Sequence, residues 1–337
     1  MKIAIIGSKS MDSLESNLQE AFIYNGHLAE VFDIYDNRIY RTHFSVHAKN
    51  LDLLARKYSD KYDLHVFNKI AERVLDYKPD LVIGVYRFIH PNFVKRIKLN
   101  GIRIVHINPD ALTTFEQQQL FVEAYDVYFT KDPYILRFMR DNMKLNVKLY
   151  SESFNVRYHK KPEINKQECE KEVEIDVMTY GTMYPYRVRM LSELLENGIN
   201  LQVYGVKPHR FYNHVLGASF QNRFIAGAEK ARLLYGAKIV FNQMHYAEID
   251  SVNNRFFEVN GSGAFQLSDY RPILHDLLPI DPELVSFRSI DEGIAKIKYY
   301  LSHPDERYSI ASEVYQYFVK KYTYDNLVEY LLENTFN

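Results

Sequence analysis

Short β-branched runs alternate with segments of helical period along this chain, and that alternation restricts it to parallel sheets built from strand–helix–strand units with helices on both faces. KIAII, Lys2 to Ile6, reads as a buried strand. Asp12 is the expected N-cap of the next helix, Leu14, Leu18 and Phe22 follow at helical spacing, and Gly26 stops it. The runs HLAEVFDI, DLVIGVY after Pro79, RIVHI after Gly101 and YDVYFT continue the series. Asp132 and Pro133 predict another helix start, an N-cap followed by proline at the first helical position. Five strands with helices between them already make a doubly wound domain.

The pattern then breaks at HKKPEINKQECEKEVE, His159 to Glu174, a charged stretch that reads as a linker or surface loop. After it the alternation restarts: EIDVMTYG as strand, Pro185 to Glu196 as helix with Gly198 as its stop, and NLQVYG as strand. A helix around Glu229 to Tyr235, the strand KIVFN, a helix over Asn254 to Val259 and the strand AFQLSD follow. Helices over Ser289 to Leu301, Pro304 to Lys320 and Tyr324 to Leu332 close the chain. A length of 337 residues suits two domains at roughly 100–200 residues each. The expected architecture is α/β, two Rossmann-like doubly wound parallel-sheet domains facing a central cleft.

Charge excludes one class of partner. With 42 Lys and Arg against 43 Asp and Glu, the chain carries no overall electrostatic footprint for nucleic acid as its main partner, which leaves room only for local basic patches. The single cysteine, Cys169, cannot close an internal disulfide and fits a reducing compartment. The N-terminal apolar run is too short for a signal peptide, and no segment has the length of a membrane span, so a cytoplasmic location is expected.

In open α/β sheets ligands sit beyond the carboxyl ends of the strands, so the residues just after each strand carry the most information. YGTMYPYR, Tyr180 to Arg187, puts Gly181 and Thr182 between a strand and a helix N-terminus. Free backbone N–H groups there suit phosphate, and Arg187 adds a cation. The alternative is an ordinary turn in which glycine permits the bend. NNRFFEVNGSGAFQLSDY, Asn253 to Tyr270, places Arg255 and Glu258 on one helix face, an arginine for phosphate and a carboxylate for vicinal hydroxyls. The alternative is an Arg–Glu ion pair on a solvated face. Gly261 and Gly263 allow a ligand close to the backbone. Asn242, which ends KIVFN, and Tyr204 join this donor-side set, and Tyr180, Tyr184, Tyr186 and Tyr204 could stack on a base or sugar.

These residues carry a resemblance. From Asp176 to about Leu331 the chain resembles the C-terminal domain of GT-B glycosyltransferases, in particular the group around the spore maturation protein CgeB and the glycosyl transferases group 1. DVMTYGTMYPYRVRMLSELLENGINLQVYG, AEKARLLYGAKIVFNQ, NNRFFEVNGSGAFQLSDYRPILHDLLP and the helical tail match in order. KPDLVIGVY, the strand ending at Asp110 and YDVYFTKD resemble the N-terminal domain more loosely. The resemblance implies the GT-B fold, with an acceptor-side domain over 1–155, a linker over 156–174, a nucleotide-sugar domain over 175–322 and a helix over 323–337 that crosses back. It further implies transfer of a sugar from a nucleotide-diphosphate sugar to a hydroxyl of a glycan, protein or lipid-linked acceptor. Glu258 would then hold the ribose, Arg255 and the Gly181–Thr182 turn would face the diphosphate, and Gly261 to Ala264 would border the donor sugar. Asp250 lies eight residues before Glu258, where retaining relatives carry a second glutamate. A nucleotide-sugar epimerase and a non-catalytic nucleotide- or sugar-binding protein are the rival functions on this frame.

The chain has no HExxH, no CxxC pair and no clear DxD, so no metal cofactor is expected and the nucleotide sugar is a co-substrate. On the acceptor side, Asp110 and His90 are the candidate catalytic bases, beside Ser8 to Met11, Arg87, His106 and Asn108. Asp110 after Pro109 also fits an Asx turn, and His90 before Pro91 a helix cap. FVKRIKLNGIRIV, with Lys95, Arg96, Lys98 and Arg103, could touch anionic lipid as a peripheral contact, although a solvated helix face is the plainer reading.

Overall fold

The structure, a computed structural model, describes residues 1–35, 46–109, 119–207 and 214–337. They form two units, Met1–Ser151 with Tyr324–Asn337, and Glu152–Thr323.

In the first unit β1 (Lys2–Gly7), α1 (Leu14–Tyr24), β2 (Leu28–Asp33), α2 (Val46–Tyr58), α3 (Asp60–Tyr77), β3 (Leu81–Gly84), α4 (Pro91–Leu99), β4 (Arg103–Asn108), β5 (Val127–Thr130), α5 (Pro133–Arg137) and β6 (Val147–Leu149) follow one another. The sheet is parallel, in the order β2-β1-β3-β4-β5-β6. A parallel strand must be covered on both faces, which is why its apolar residues run on without a break. Alternate β1 residues divide between two cores. Ala4 and Ile6 face Val66, Phe67, Ile70 and Val74 of α3, and Ile3 and Ile5 face Leu18 and Phe22 of α1. The second face also takes Leu327, Val328 and Leu331 from the C-terminal end of the chain. The first helix is capped by Ser13, whose Oγ accepts from the Ser16 N–H at 3.2 Å, and not by Asp12. Asp12 instead holds the positive φ, 61°, that turns the chain into the cap.

The second unit continues with α6 (Lys166–Val173), β7 (Ile175–Tyr180), α7 (Pro185–Glu196), β8 (Leu201–Tyr204), α8 (Gly227–Gly236), β9 (Ala237–Asn242), α9 (Asn254–Gly261), β10 (Gln266–Asp269), α10 (Leu274–Leu277), β11 (Ser286–Phe287), α11 (Ile290–Ser302) and α12 (Pro304–Lys321). Its sheet is parallel in the order β11-β10-β9-β7-β8. The last helix, α13 (Tyr324–Phe336), belongs to the first unit and packs beside α1.

The stretch read as a linker departs from that expectation. Residues 166–173 form α6, which packs on α8 and buries Cys169 and Glu170. Glu170 meets the fully buried Arg307 of α12 at 3.0 Å, Tyr308 Oη at 2.9 Å and Lys166 at 3.3 Å. Two of its charges, Lys166 and Glu170, pair inward while Glu168, Lys171 and Glu172 stay exposed, and composition alone cannot distinguish the two kinds. Among the described residues no helix is long and apolar enough to cross a membrane.

Candidate functional site

Each sheet reverses its strand order at one point, and the crevice outside the carboxyl ends of the strands at that point is where such folds hold ligands. In the second unit the reversal falls between β7 and β9. The turn after β7 depends on two glycines. Gly181 has φ 111°, a conformation side chains rarely adopt, and its N–H bonds to the Tyr204 carbonyl at 2.9 Å. A Cβ on Gly205, after β8, would come within 2.4 Å of the Gly181 carbonyl oxygen, so only glycine lets the two strand ends approach. The following helix, α7, has Pro185 at its first position and no side-chain cap, which leaves its N-terminus open.

Two arginines converge on this turn. Arg187 of α7 is buried and donates Nη1 to the Thr182 carbonyl and Nη2 to the Gln243 carbonyl. Arg255 of α9 donates to the Tyr180 carbonyl and to the same Gln243 carbonyl at 2.9 Å. Backbone carbonyls aim the guanidiniums without neutralising them, and among the described residues neither forms an ion pair with a carboxylate. Asp269 senses both cations, but its carboxylate accepts from the Met244 N–H, and burial raises its pKa. Burial, and secondarily Arg255, lowers the pKa of Arg187 to about 10. Two like charges held together at a helix N-terminus form a site for an anion with more than one charge.

The Arg–Glu ion pair considered for α9 does not form. Glu258 Oε1 meets Lys230 Nζ of α8 and Asn254 Nδ2, each at 3.1 Å, and Oε2 accepts from Tyr180 Oη at 2.6 Å. Lys230 and the Tyr180 hydroxyl are missing from the sequence-derived set because nothing in AEKARLLY marks an inward lysine; only the packing of α8 beside α9 pairs it. Next to this cluster, Tyr180, Gly181, Thr182, Tyr204, Phe224 and Ile225 line a cavity of about 220 Å³. Tyr204 donates to Gln202 at 2.9 Å, and Arg223 lies 5.4 Å from its ring centre.

Other candidates have structural work. Asn242 is buried and spends its amide on Asn253 and Gln266, at 2.8 to 3.0 Å. Asn253 in turn caps α9, so Asn242 orients the helix that carries Arg255 and Glu258. Gly261 does not leave backbone open for a ligand, because the Phe154 ring would lie 2.3 Å from a Cβ there. At Gly263 a φ of 74° and the side chains of Lys161 and Tyr235 account for the glycine. Asp250 sits in the β9–α9 loop and is not among the residues that hydrogen-bond the Glu258 carboxylate. Tyr184 and Tyr186 stack 5.9 Å apart with His245 edge-on to both.

In the first unit His90 is a cap rather than an available base. Nδ1 accepts from the Asn92 N–H at 3.1 Å, and Nε2 meets Asp60 at 3.2 Å. His106 is fully buried and its pKa is lowered to about 3, too weak to take a proton from a hydroxyl. Asp110 lies outside the described residues. The cations of α4 are engaged locally, Arg96 with Glu72 at 3.8 Å and Lys98 with the Ala124 carbonyl at 2.9 Å and Asp126 at 3.7 Å, as on a solvated face.

Comparison with known proteins gives a consistent picture. Residues 187–333 match a family model described as glycosyl transferase-like. The spore protein CgeB of Bacillus subtilis is 25% identical over 268 residues, covering 70% of this chain and 80% of CgeB. Among solved structures, Anabaena HepE in complex with UDP and glucose superposes with a TM-score of 0.71 at 12% identity over 99% of both chains. A glycosyltransferase from Rickettsia africae superposes at 0.70 with 13% identity, over 98% of this chain and 97% of that one.

Proposed function

We propose that this chain, which has the GT-B fold and a glycosyl transferase-like second unit, moves a sugar from a nucleotide-diphosphate sugar to an acceptor hydroxyl. The observation that carries this reading is the pair of guanidiniums, Arg187 and Arg255, aimed by carbonyls at the β7–β9 switch point with no carboxylate paired to either among the described residues. In the reaction the acceptor oxygen bonds to the anomeric carbon. The bond from that carbon to the diphosphate breaks, and its electron pair becomes charge on the departing phosphate. The two arginines and the open N-terminus of α7 stabilise that charge, which is stronger in the transition state than in the intact donor. The cavity between Tyr180, Tyr204 and Phe224 takes the nucleobase, and Glu258, held by Lys230, Asn254 and Tyr180, offers its one remaining lone pair, on Oε2, to the ribose. The arginines supply the charge a metal would otherwise supply, so turnover is expected to survive EDTA.

Calorimetry with UDP, GDP and dTDP against the matching nucleosides tests this reading. A diphosphate should bind at least tenfold more tightly than its nucleoside. Arg255→Ala should remove about 1.5–3 kcal/mol of that advantage, the worth of hydrogen bonds to a charged group. With a nucleotide-sugar panel, free nucleoside diphosphate and a glycosylated product are expected. Isomerised sugar, or stabilisation by nucleotide without turnover, would overturn the assignment in favour of an epimerase or a binding protein.

A further inference from the structure

The first unit has its own switch point, between β1 and β3. A cavity of about 150 Å³ opens beside it, lined by Leu53, Arg56, Asp63, Tyr86, Phe88 and Gln119 together with Lys57. Tyr86 and Phe88 follow β3 directly and pack edge to face, with centroids 5.6 Å apart. Arg56 reaches the cavity from α2 and is anchored through Nη2 to the carbonyl of Ile34, just past β2. It is 8% exposed, and its Nη1 has no hydrogen-bond partner among the described residues. Asp63, in the first turn of α3, is 6% exposed and shares a hydrogen bond with the Gln119 side chain. A buried donor without a partner is costly, and its persistence in a cavity lined by a carboxylate and an amide marks a place where a ligand completes the bonding.

Charge defines the class of ligand. Arg56 lies 3.2 Å from Asp52, and Lys57 and Asp63 offset one another, so the pocket is close to neutral and gives no reward to an anion. A hydroxyl fits better, since it accepts from Arg56 Nη1 and donates to Asp63. The volume is on the order of five water shares of about 30 Å³, the size of one sugar ring. The aromatic wall suits the C–H face of such a ring. We propose that this pocket binds the acceptor as an uncharged, hydroxyl-rich moiety of about one sugar ring, with Asp63 and Arg56 as its hydrogen-bonding pair and Tyr86 and Phe88 as its wall. The proposal rests on the glycosyl-transfer reading, which requires a second substrate besides the one bound at Arg187 and Arg255.

Protonation adds a signature. Burial raises the Asp63 pKa to about 6, against the opposing effects of Arg56 on α2, His90 at the cap of α4 and the Gln119 hydrogen bond, while Asp60 on α3 adds to the rise. Tyr86, whose own pKa is pushed up to about 12, stays neutral throughout. Below pH 6 the carboxyl becomes neutral, and its bond from the sugar hydroxyl loses the charge that strengthens it.

The test is saturation-transfer NMR on the full chain with methyl glycosides of glucose, galactose, mannose and N-acetylglucosamine, with UDP binding followed in parallel by calorimetry. At least one glycoside should bind, and its affinity should fall at least tenfold in Asp63→Asn and in Phe88→Ala, with UDP affinity within twofold of wild type. In the wild type that affinity should decline as pH drops through 6, and the decline should be absent from Asp63→Asn. Circular dichroism checks each variant, and if one is unfolded the other decides. UDP binding without any glycoside binding, or glycoside binding indifferent to both substitutions, overturns the proposal. Glycoside binding that depends on Asp63 in a protein that binds no nucleoside diphosphate upholds the pocket and defeats the transferase reading instead.

Discussion

Glu258 is committed to the protein before any ligand arrives. Its carboxylate closes a buried cluster with Lys230, Asn254 and Tyr180, and its side chain is 8% exposed and that of Lys230 4%. Removing one member of such a pair strands the other charge in the interior, which typically costs about 3–5 kcal/mol. Glu258→Gln should therefore lower stability by that order in urea unfolding as well as weaken donor binding. Glu258→Gln combined with Lys230→Met should recover part of the loss, because the stranded ammonium is gone. Equal stability of Glu258→Gln and wild type would mean the pair is open to solvent. The same residue scale explains why glycine was the more legible signal. Gly181 needs its positive φ whatever surrounds it, whereas Glu258 and Lys230 acquire meaning only from each other.

At the scale of elements, α6 shows where composition misleads. KQECEKEV reads as solvated, yet Cys169 and Glu170 lie four residues or fewer from Lys166 and point into the second unit. Glu170 is the counterion of Arg307, which is 1% exposed, and Lys166 donates to the Ala237 carbonyl at 2.9 Å at the start of β9. Burial lowers the Lys166 pKa to about 8, which a solvated linker would not do. Glu170→Ala should cost about 3–5 kcal/mol in chemical unfolding by leaving Arg307 uncompensated. A loss under 0.5 kcal/mol, the range of ordinary surface changes, would restore the linker reading. Strands buried on both faces were readable, since such a parallel strand is an unbroken apolar run, whereas the short edge strands β6 and β11 were not read. The long interval between β2 and β3, where α2 and α3 lie, was left unread because amphipathic helices there are mostly polar in sequence.

At the scale of the molecule, the second unit is inserted between Ser151 and Tyr324 of the first. The first unit therefore completes its core with the last residues of the chain: Tyr324, Leu327, Val328 and Leu331 cover Ile3, Ile5 and Phe22, and Arg103 holds the Thr335 carbonyl at 2.6 Å. Deleting Tyr324 to Asn337 should unprotect the β1–β3 amides to hydrogen exchange while UDP affinity stays within a few-fold, because the candidate diphosphate residues lie wholly in the second unit. Within the intact chain Leu331→Ala should cost about 2–5 kcal/mol. Retained β1–β3 protection in the truncated protein would show that α13 is dispensable to this core.

The sequence by itself determined the two parallel sheets, most strand positions and the glycine-bearing turn after β7, because chain periodicity and backbone conformation are local properties. It also contained Arg187, Arg255 and Glu258 as residues of the right chemistry. The tertiary structure alone decided what those residues touch. It turned both arginines onto carbonyls, gave Glu258 a lysine from another helix, gave His90 the Asp60 carboxylate as a partner, and enclosed Arg56 and Asp63 in one pocket with residues following β3. Each of these is a meeting between segments far apart in the chain, and no local spacing encodes which segments meet.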